Sequence, residues 1–208
     1  MVTSMIVNLL KKILGSSPRG LIELYGLQDW YLSLDAETQS KVKTYYSLGM
    51  NNKADDIDTG NFIDHNAKFN GCQKFLCGVG GNAVSKDPAF AELVLVKALT
   101  APDDNPIDRH FVYNHLIELL YKQRKSRQDA IELCMKYCHE DIDRIDSFAS
   151  AWKSTAGVDL PRIPSFNRLR LIYEHRGDKD AAMSVVERYR MFIGADETLV
   201  SYGDEVSE

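Results

Sequence analysis

The chain has 208 residues, 44% hydrophobic and 26% charged, with a formal net charge of −5. That length allows one sizeable soluble domain or a domain with an arm, and the acidic balance argues against a nucleic-acid protein, because phosphate binding needs a basic face. No run of 18 apolar residues exists, so no transmembrane helix is expected; four cysteines in a chain long enough to bury a core point to a reducing, cytoplasmic setting. Residues 1–20 read as an amphipathic arm and linker. Ile6, Leu9, Leu10, Ile13 and Leu14 fall on one helical face, and Gly15-Ser-Ser-Pro18-Arg-Gly20 follows as the linker. An arm of this kind packs on the body or on a second copy.

Residues 21–69 read as a helical cap followed by a polar loop. Asp35 is placed to cap a helix in which Glu37 suits the positive end of the dipole, Val42, Tyr45 and Tyr46 supply the apolar face, and Gly49 ends it. The polar stretch 50–70 contains Asp55, Asp56, Asp58, Gly60, Asp64 and His65. Counted from Asp56, Gly60 is fifth and Ala67 twelfth, which fails the calcium-loop pattern.

Three stretches then share one internal pattern: residues 75–98, 114–137 and 166–189. With Asn82, Tyr121 and Tyr173 as anchors, Phe75, Asn114 and Phe166 stand seven residues earlier, and Gly78, Ile117 and Leu169 four earlier. Ala91, Ala130 and Ala182 stand nine later, Leu95, Cys134 and Val186 thirteen later, and Ala98, Tyr137 and Tyr189 sixteen later. Offsets of three, four and seven share a helical face, and an alanine where two helices cross lets their backbones approach. Turns are expected at Lys86-Asp87, Lys125-Ser126 and Gly177-Asp178. The spacing predicts helical hairpins over about 70–99, 106–143 and 164–193. Asn105-Pro106 and Pro164 open helices in the last two, and a short spacer helix between them, 146–153, buries Trp152.

This arrangement resembles the tetratricopeptide repeat, with its large residue, Leu, Gly, Tyr and Ala. The third unit matches best, with Phe166, Leu169, Tyr173, Gly177 and Ala182. The repeat glycine three before the anchor is replaced by Val79, Glu118 and Arg170, and the anchors are 39 and 52 residues apart against the usual length of about 34. The first two units are degenerate, and uncharacterised bacterial and phage proteins look similar. The resemblance covers residues 70–194, with an acidic tail at 195–208. It implies an all-α fold, a right-handed α-α superhelix of about three hairpins with an N-terminal helical cap. It also implies that the first helix of each unit lines a concave groove that holds a peptide or protein. The stripe opposite the core face is then Leu76, Gly80, Ala83 and Val84 in the first unit. The second supplies His115, Leu119, Lys122 and Gln123, and the third Asn167, Leu171, Glu174 and His175. Lys122 is the candidate partner for a carboxylate.

Chemistry is less visible. Gly78-Val-Gly80-Gly81 lacks the preceding strand and the Gly-Lys-Ser/Thr ending of a phosphate loop. Cys134, Cys138 and His139 lie a turn apart, and Cys72, Cys77, His65, His110 and His115 are further potential ligands. No tight Cys-x-x-Cys spacing exists, and Cys134 falls on a core offset, so the thiols read as structural and neither metal nor cofactor is expected. The basic run Lys122-Gln-Arg124-Lys125-Ser-Arg127 complements a helix C-terminus, or forms a docking strip for an acidic peptide. The sequence thus favours a protein- or peptide-binding module. The alternatives are an all-α ligand-binding protein or enzyme with a site not visible as a motif, and a self-assembling structural protein; a homo-oligomer is compatible with all three.

Overall fold

The computed structural model describes residues 19–58, 71–156 and 159–193. Residues 1–18 of the arm and linker, the stretch 59–70 with His65, and the acidic tail lie outside the described residues. The regular elements of the described residues are all helices, with no strand among them. They fall into two compact units that meet in sequence at Gly71 and Cys72.

The first unit contains α1 (Leu21–Leu24), α2 (Gln28–Ser33), α3 (Ala36–Tyr46) and a single 3-10 turn (Ala54–Asp56). Asp35 caps α3 as expected, its carboxylate accepting from the Thr38 amide at 2.7 Å. Ile57 and Val42 are fully buried beside Leu21, Ile22, Leu27 and Tyr31. The chain after the 3-10 turn is tied back to the start of the unit. The Ile22 amide donates to the Ile57 carbonyl at 3.1 Å, and the Tyr31 hydroxyl donates to Asp58 at 3.1 Å. Lys43 pairs with the same carboxylate at 2.8 Å.

The second unit contains seven helices: α4 (Cys72–Ala83), α5 (Pro88–Ala98), α6 (Pro106–Gln123), α7 (Ala130–Asp143), α8 (Ile145–Ala156), α9 (Pro164–His175) and α10 (Lys179–Ile193). They pair as the hairpins α4–α5, α6–α7 and α9–α10, and α8 is the spacer. Local chemistry sets the boundaries. Pro88, Pro106 and Pro164 each occupy a first helical turn, where the missing N–H costs nothing. Asp87 accepts from the Phe90 amide, and Asn105 accepts from Ile107 and Asp108. Gly177, at φ +76°, ends α9: its amide donates to Glu174 and the Asp178 amide reaches back to Tyr173, both at 3.0 Å.

The three alanines at equivalent offsets, Ala91, Ala130 and Ala182, are all buried. So are Phe75, Phe166, Ile117, Leu169, Leu95 and Cys134. Two readings change. Gly78, at a core offset, is exposed, and Trp152 is half-buried, with its indole N–H donating to the Asp159 carbonyl at 3.1 Å.

α6 is the middle of this unit. It packs against α4 and α5, its hairpin partner α7, the spacer α8, and α9, which also rests on α7. A helix with neighbours on so many sides must be apolar around most of its circumference. Accordingly Val112, Tyr113, Leu116, Ile117, Leu119 and Leu120 are all buried. α6 is also 18 residues long against 12 for α4 and 12 for α9.

Candidate functional site

α4 and α6 lie side by side and run in the same direction. Gly81 meets His115, and Lys74 faces Asp108 one helical stretch earlier, so residues 34 positions apart are level along the pair. Between them is a groove of about 500 Å³. From α4 it is lined by Lys74, Cys77, Gly78, Gly81 and Asn82, which share one helical face, and from α6 by Ile107, Asp108, Phe111 and His115.

The three glycines of α4 have different physical reasons. A Cβ on Gly80 would stand 2.6 Å from Leu95 Cγ, so Gly80 is where α4 crosses α5. A Cβ on Gly81 would stand 2.7 Å from His115 Nε2, so Gly81 sets the close approach of α4 and α6. A Cβ on Gly78 would meet nothing within 4 Å. Glycine inside a helix costs about 1 kcal/mol relative to alanine, and at Gly78 no packing within the fold offsets that cost. The position opens directly on the groove.

Burial sets the electrostatics of the groove. It lowers the basicity of the His115 imidazole below its ordinary value near 6.5. It raises the Asp108 carboxyl, with Lys74 opposing the rise and Asp103 adding to it. It pushes the Cys77 thiol up to about 12, aided by Asp108. Each shift favours the uncharged form of its group. Cys77 is therefore a thiol rather than a thiolate, which removes its nucleophilicity.

The His115 shift has a consequence for stability. Between pH 6.5 and its lowered folded value, the unfolded chain binds a proton at His115 that the folded chain does not. Stability is therefore full above the ordinary histidine value and falls as pH drops through this window. His115→Gln should show a shallower loss between about pH 7 and pH 5 than the parent, read as urea midpoints. Parallel midpoint-versus-pH curves would rule the effect out.

Of the eight residues expected to line a groove, His115 reaches this one. Leu119 is corrected: at 2% exposure it belongs to the core, because α6 is covered on the side it occupies. On α4 the expected stripe of Leu76, Gly80 and Ala83 is likewise buried, because α5 packs against that face. Lys122 is exposed and Gln123 half-buried at the far end of α6. On α9, Arg170 bonds both Asn167 at 2.9 Å and Glu174 at 2.6 Å, while His175 Nδ1 donates to the Leu171 carbonyl at 2.7 Å. The side chains of Asn167, Glu174 and His175 are thus engaged with their own helix. Lys74, Cys77, Gly78, Gly81, Ile107, Asp108 and Phe111 were not read from the sequence as groove residues. The signal that marks them is the one helical glycine without a packing role.

A second polar cluster lies inside the unit. His110, 1% exposed, stacks on Phe148 with ring centroids 3.8 Å apart. Its Nδ1 is 2.7 Å from Asp141 Oδ1, and its Nε2 is 3.0 Å from the Asn114 amide nitrogen. With that amide donating to Nε2, the imidazole carries its proton on Nδ1 and donates it to Asp141. The cluster joins α6, α7 and α8, and it occupies the ring nitrogens that a metal would need.

All four cysteines are free and buried. Cys134 Sγ lies 3.6 Å from the Ile117 carbonyl, and burial raises the neighbouring Cys138 thiol well above its ordinary range. Among the described residues no group of three His, Cys, Asp or Glu side chains is arranged to hold a metal ion. None of the described helices is long and apolar enough to cross a membrane.

No family model and no solved structure matches the chain. An uncharacterized protein of Aquifex aeolicus (strain VF5) is 30% identical over 196 residues, which cover 91% of this chain and 90% of that protein. Similarity of that extent spans both compact units, and the chain belongs to the same family as the Aquifex aeolicus protein.

Proposed function

We propose that the chain is a tetratricopeptide-like interaction module that holds an extended segment of a partner protein in the groove between α4 and α6. The observation that carries this reading is Gly78, a helical glycine lining a 500 Å³ groove with nothing packed where its Cβ would be. Glycine is the residue that lets another backbone come close. The packing order supports the repeat reading. α6 rests on both helices of the preceding hairpin, and α9 rests on both α6 and α7. The level positions of α4 and α6 are 34 residues apart, the length of a tetratricopeptide unit, while the anchors Asn82, Tyr121 and Tyr173 stand 39 and 52 residues apart because extra residues separate the units. The thiol state of Cys77 and the uncharged tendency of His115 and Asp108 suit a desolvated contact surface better than acid–base or nucleophilic chemistry.

The test uses the full chain and a displayed random dodecapeptide library. Peptides selected on the parent should bind Gly78→Leu at least about tenfold more weakly, because the leucine fills the groove. The variant should keep or raise its melting temperature, since a helical glycine is replaced and the new side chain projects into open space. A library that yields no binder, or binders indifferent to Gly78→Leu, would remove the groove from consideration.

A further inference from the structure

The far end of α6 carries a different surface. Tyr121 has two guanidinium groups on its ring, Arg124 with Cζ 4.3 Å from the centroid and Arg168 with Cζ 4.4 Å. Arg168 comes from α9 and also donates to both oxygens of Glu118, at 3.2 and 3.3 Å. Arg162, in the loop leading into α9, reaches the same carboxylate at 3.8 Å. Three guanidinium groups thus gather around one ring and one carboxylate. Lys122 and Lys125, both exposed, add two ammonium groups at the same helix end. Among the described residues no carboxylate pairs with Lys122, Arg124 or Lys125. The nearby Arg127 is already taken by Glu92 and Asp129.

Cations at a helix C-terminus complement the negative end of its dipole. That accounts for Lys122, Arg124 and Lys125, which follow one another in α6 and its cap. It does not account for Arg162 and Arg168, which come from a loop and from another helix and converge on the same place. Five positive side chains at this end, of which Arg162 and Arg168 hold Glu118, leave an excess of positive charge on a chain whose net charge is −5. Glu118 shows what the surface accepts: a carboxylate taken by Arg168 through two parallel N–H donors, the geometry that makes guanidinium selective for carboxylates.

We infer that the α6–α9 end of the unit, formed by Arg124, Arg162, Arg168 and Lys122 around Tyr121, docks a carboxylate-rich segment of a partner protein. The inference rests on the interaction reading above and names the chemistry of the partner. A nucleic acid is the weaker match. Its polyphosphate requires a long basic track, and the acidic remainder of the chain repels it, whereas a short run of carboxylates needs only these few groups. Arg162, with its side chain 54% exposed, and Lys122 offer donors to solvent, while Arg168, 19% exposed, is held by Glu118 as the fixed base of the surface. The incoming carboxylates pair with Arg124, Arg162 and Lys122 without displacing Glu118.

The probe is fluorescein-labelled octaglutamate, titrated with the full chain and read by anisotropy. Saturable binding is expected at about 50 mM salt, weakening steeply toward about 200 mM. Arg162→Glu, at an exposed loop position, should weaken it about tenfold without changing the melting temperature, and Arg124→Glu with Arg162→Glu should weaken it further. Lys86→Glu, a charge reversal at the α4–α5 turn, should leave it unchanged, and so should Gly78→Leu in the other groove. No saturable binding, or equal binding by Arg162→Glu, would overturn the inference. Equal weakening by Lys86→Glu would reduce it to net charge and also overturn it. Tighter binding of a twelve-nucleotide poly-dT strand than of octaglutamate would replace the protein segment with nucleic acid. Loss of the probe in Gly78→Leu alone would leave the groove standing and remove this surface.

Discussion

Asp141→Ala should lower the stability of the second unit by about 1–3 kcal/mol, the range for leaving a buried hydrogen-bond donor without its acceptor. Asp141 is 2% exposed and its partner His110 is 1% exposed, so losing the carboxylate strands a buried imidazole N–H. The loss is specific to the unmatched partner. His110→Leu combined with Asp141→Leu should recover part of it, because the apolar pair removes the stranded imidazole N–H and leaves only the half-buried Asn114 amide without its acceptor. Asp141→Asn, which keeps an acceptor for Nδ1, should fall between the two. Urea unfolding of the four proteins checks the cycle, with Phe148 stacked on the imidazole held constant throughout. A loss below about 1 kcal/mol in Asp141→Ala would mean that the cluster is a passive neighbour of the core rather than the tie between α6, α7 and α8.

Phe166→Ala should cost about 3–5 kcal/mol through the cavity it opens. The ring is fully buried and meets two others on α10: Tyr189, edge-on at 5.0 Å, and Phe192, stacked at 6.1 Å. Aromatic pairs add about 0.5–1.5 kcal/mol beyond the area they bury, so Phe166→Leu should recover only part of the loss. In a stack of hairpins each unit is stabilised mainly by its neighbours. Amide hydrogen exchange should therefore rise most in α9 and α10, less in α6 and α7, and least in α4 and α5. Uniform acceleration over all seven helices would show that the unit unfolds as one block, and the local account of Phe166 would fail.

Much of the fold was legible in the sequence because short-range chemistry fixes it. The helix ends follow from Asp35, Asn105, Pro106, Pro164 and Gly177, each of which acts within four residues of its own position. The hairpin pairing follows from Ala91, Ala130 and Ala182, small residues at one offset in every unit. The site was less legible because it depends on which face of α4 meets which neighbour. Leu76, Gly80 and Ala83 form as good an open stripe as any by periodicity. Only the packing of Leu95 against Gly80 decides that this stripe is closed and that Gly78 is open. The His110–Asp141 pair spans 31 residues and no local pattern announces it. Likewise Leu119 reads as one residue of a polar helix face until α6 is seen to have neighbours nearly all round.

The six residues by which α6 exceeds α4 carry a further consequence for how such a chain can change. An array of equal units can lengthen by duplication, since every new copy presents the face that its predecessor expects. Here the middle unit offers α4 one stretch of itself and α9 another, the latter around Glu118 and Tyr121. A duplicated first hairpin would find no second long helix to lie against, and a transplanted third would lack its carboxylate and its ring. The hairpins are therefore not interchangeable. Growth of the family should proceed through loops such as the one before α9 rather than by adding copies, and the number of hairpins should stay fixed while loop length drifts.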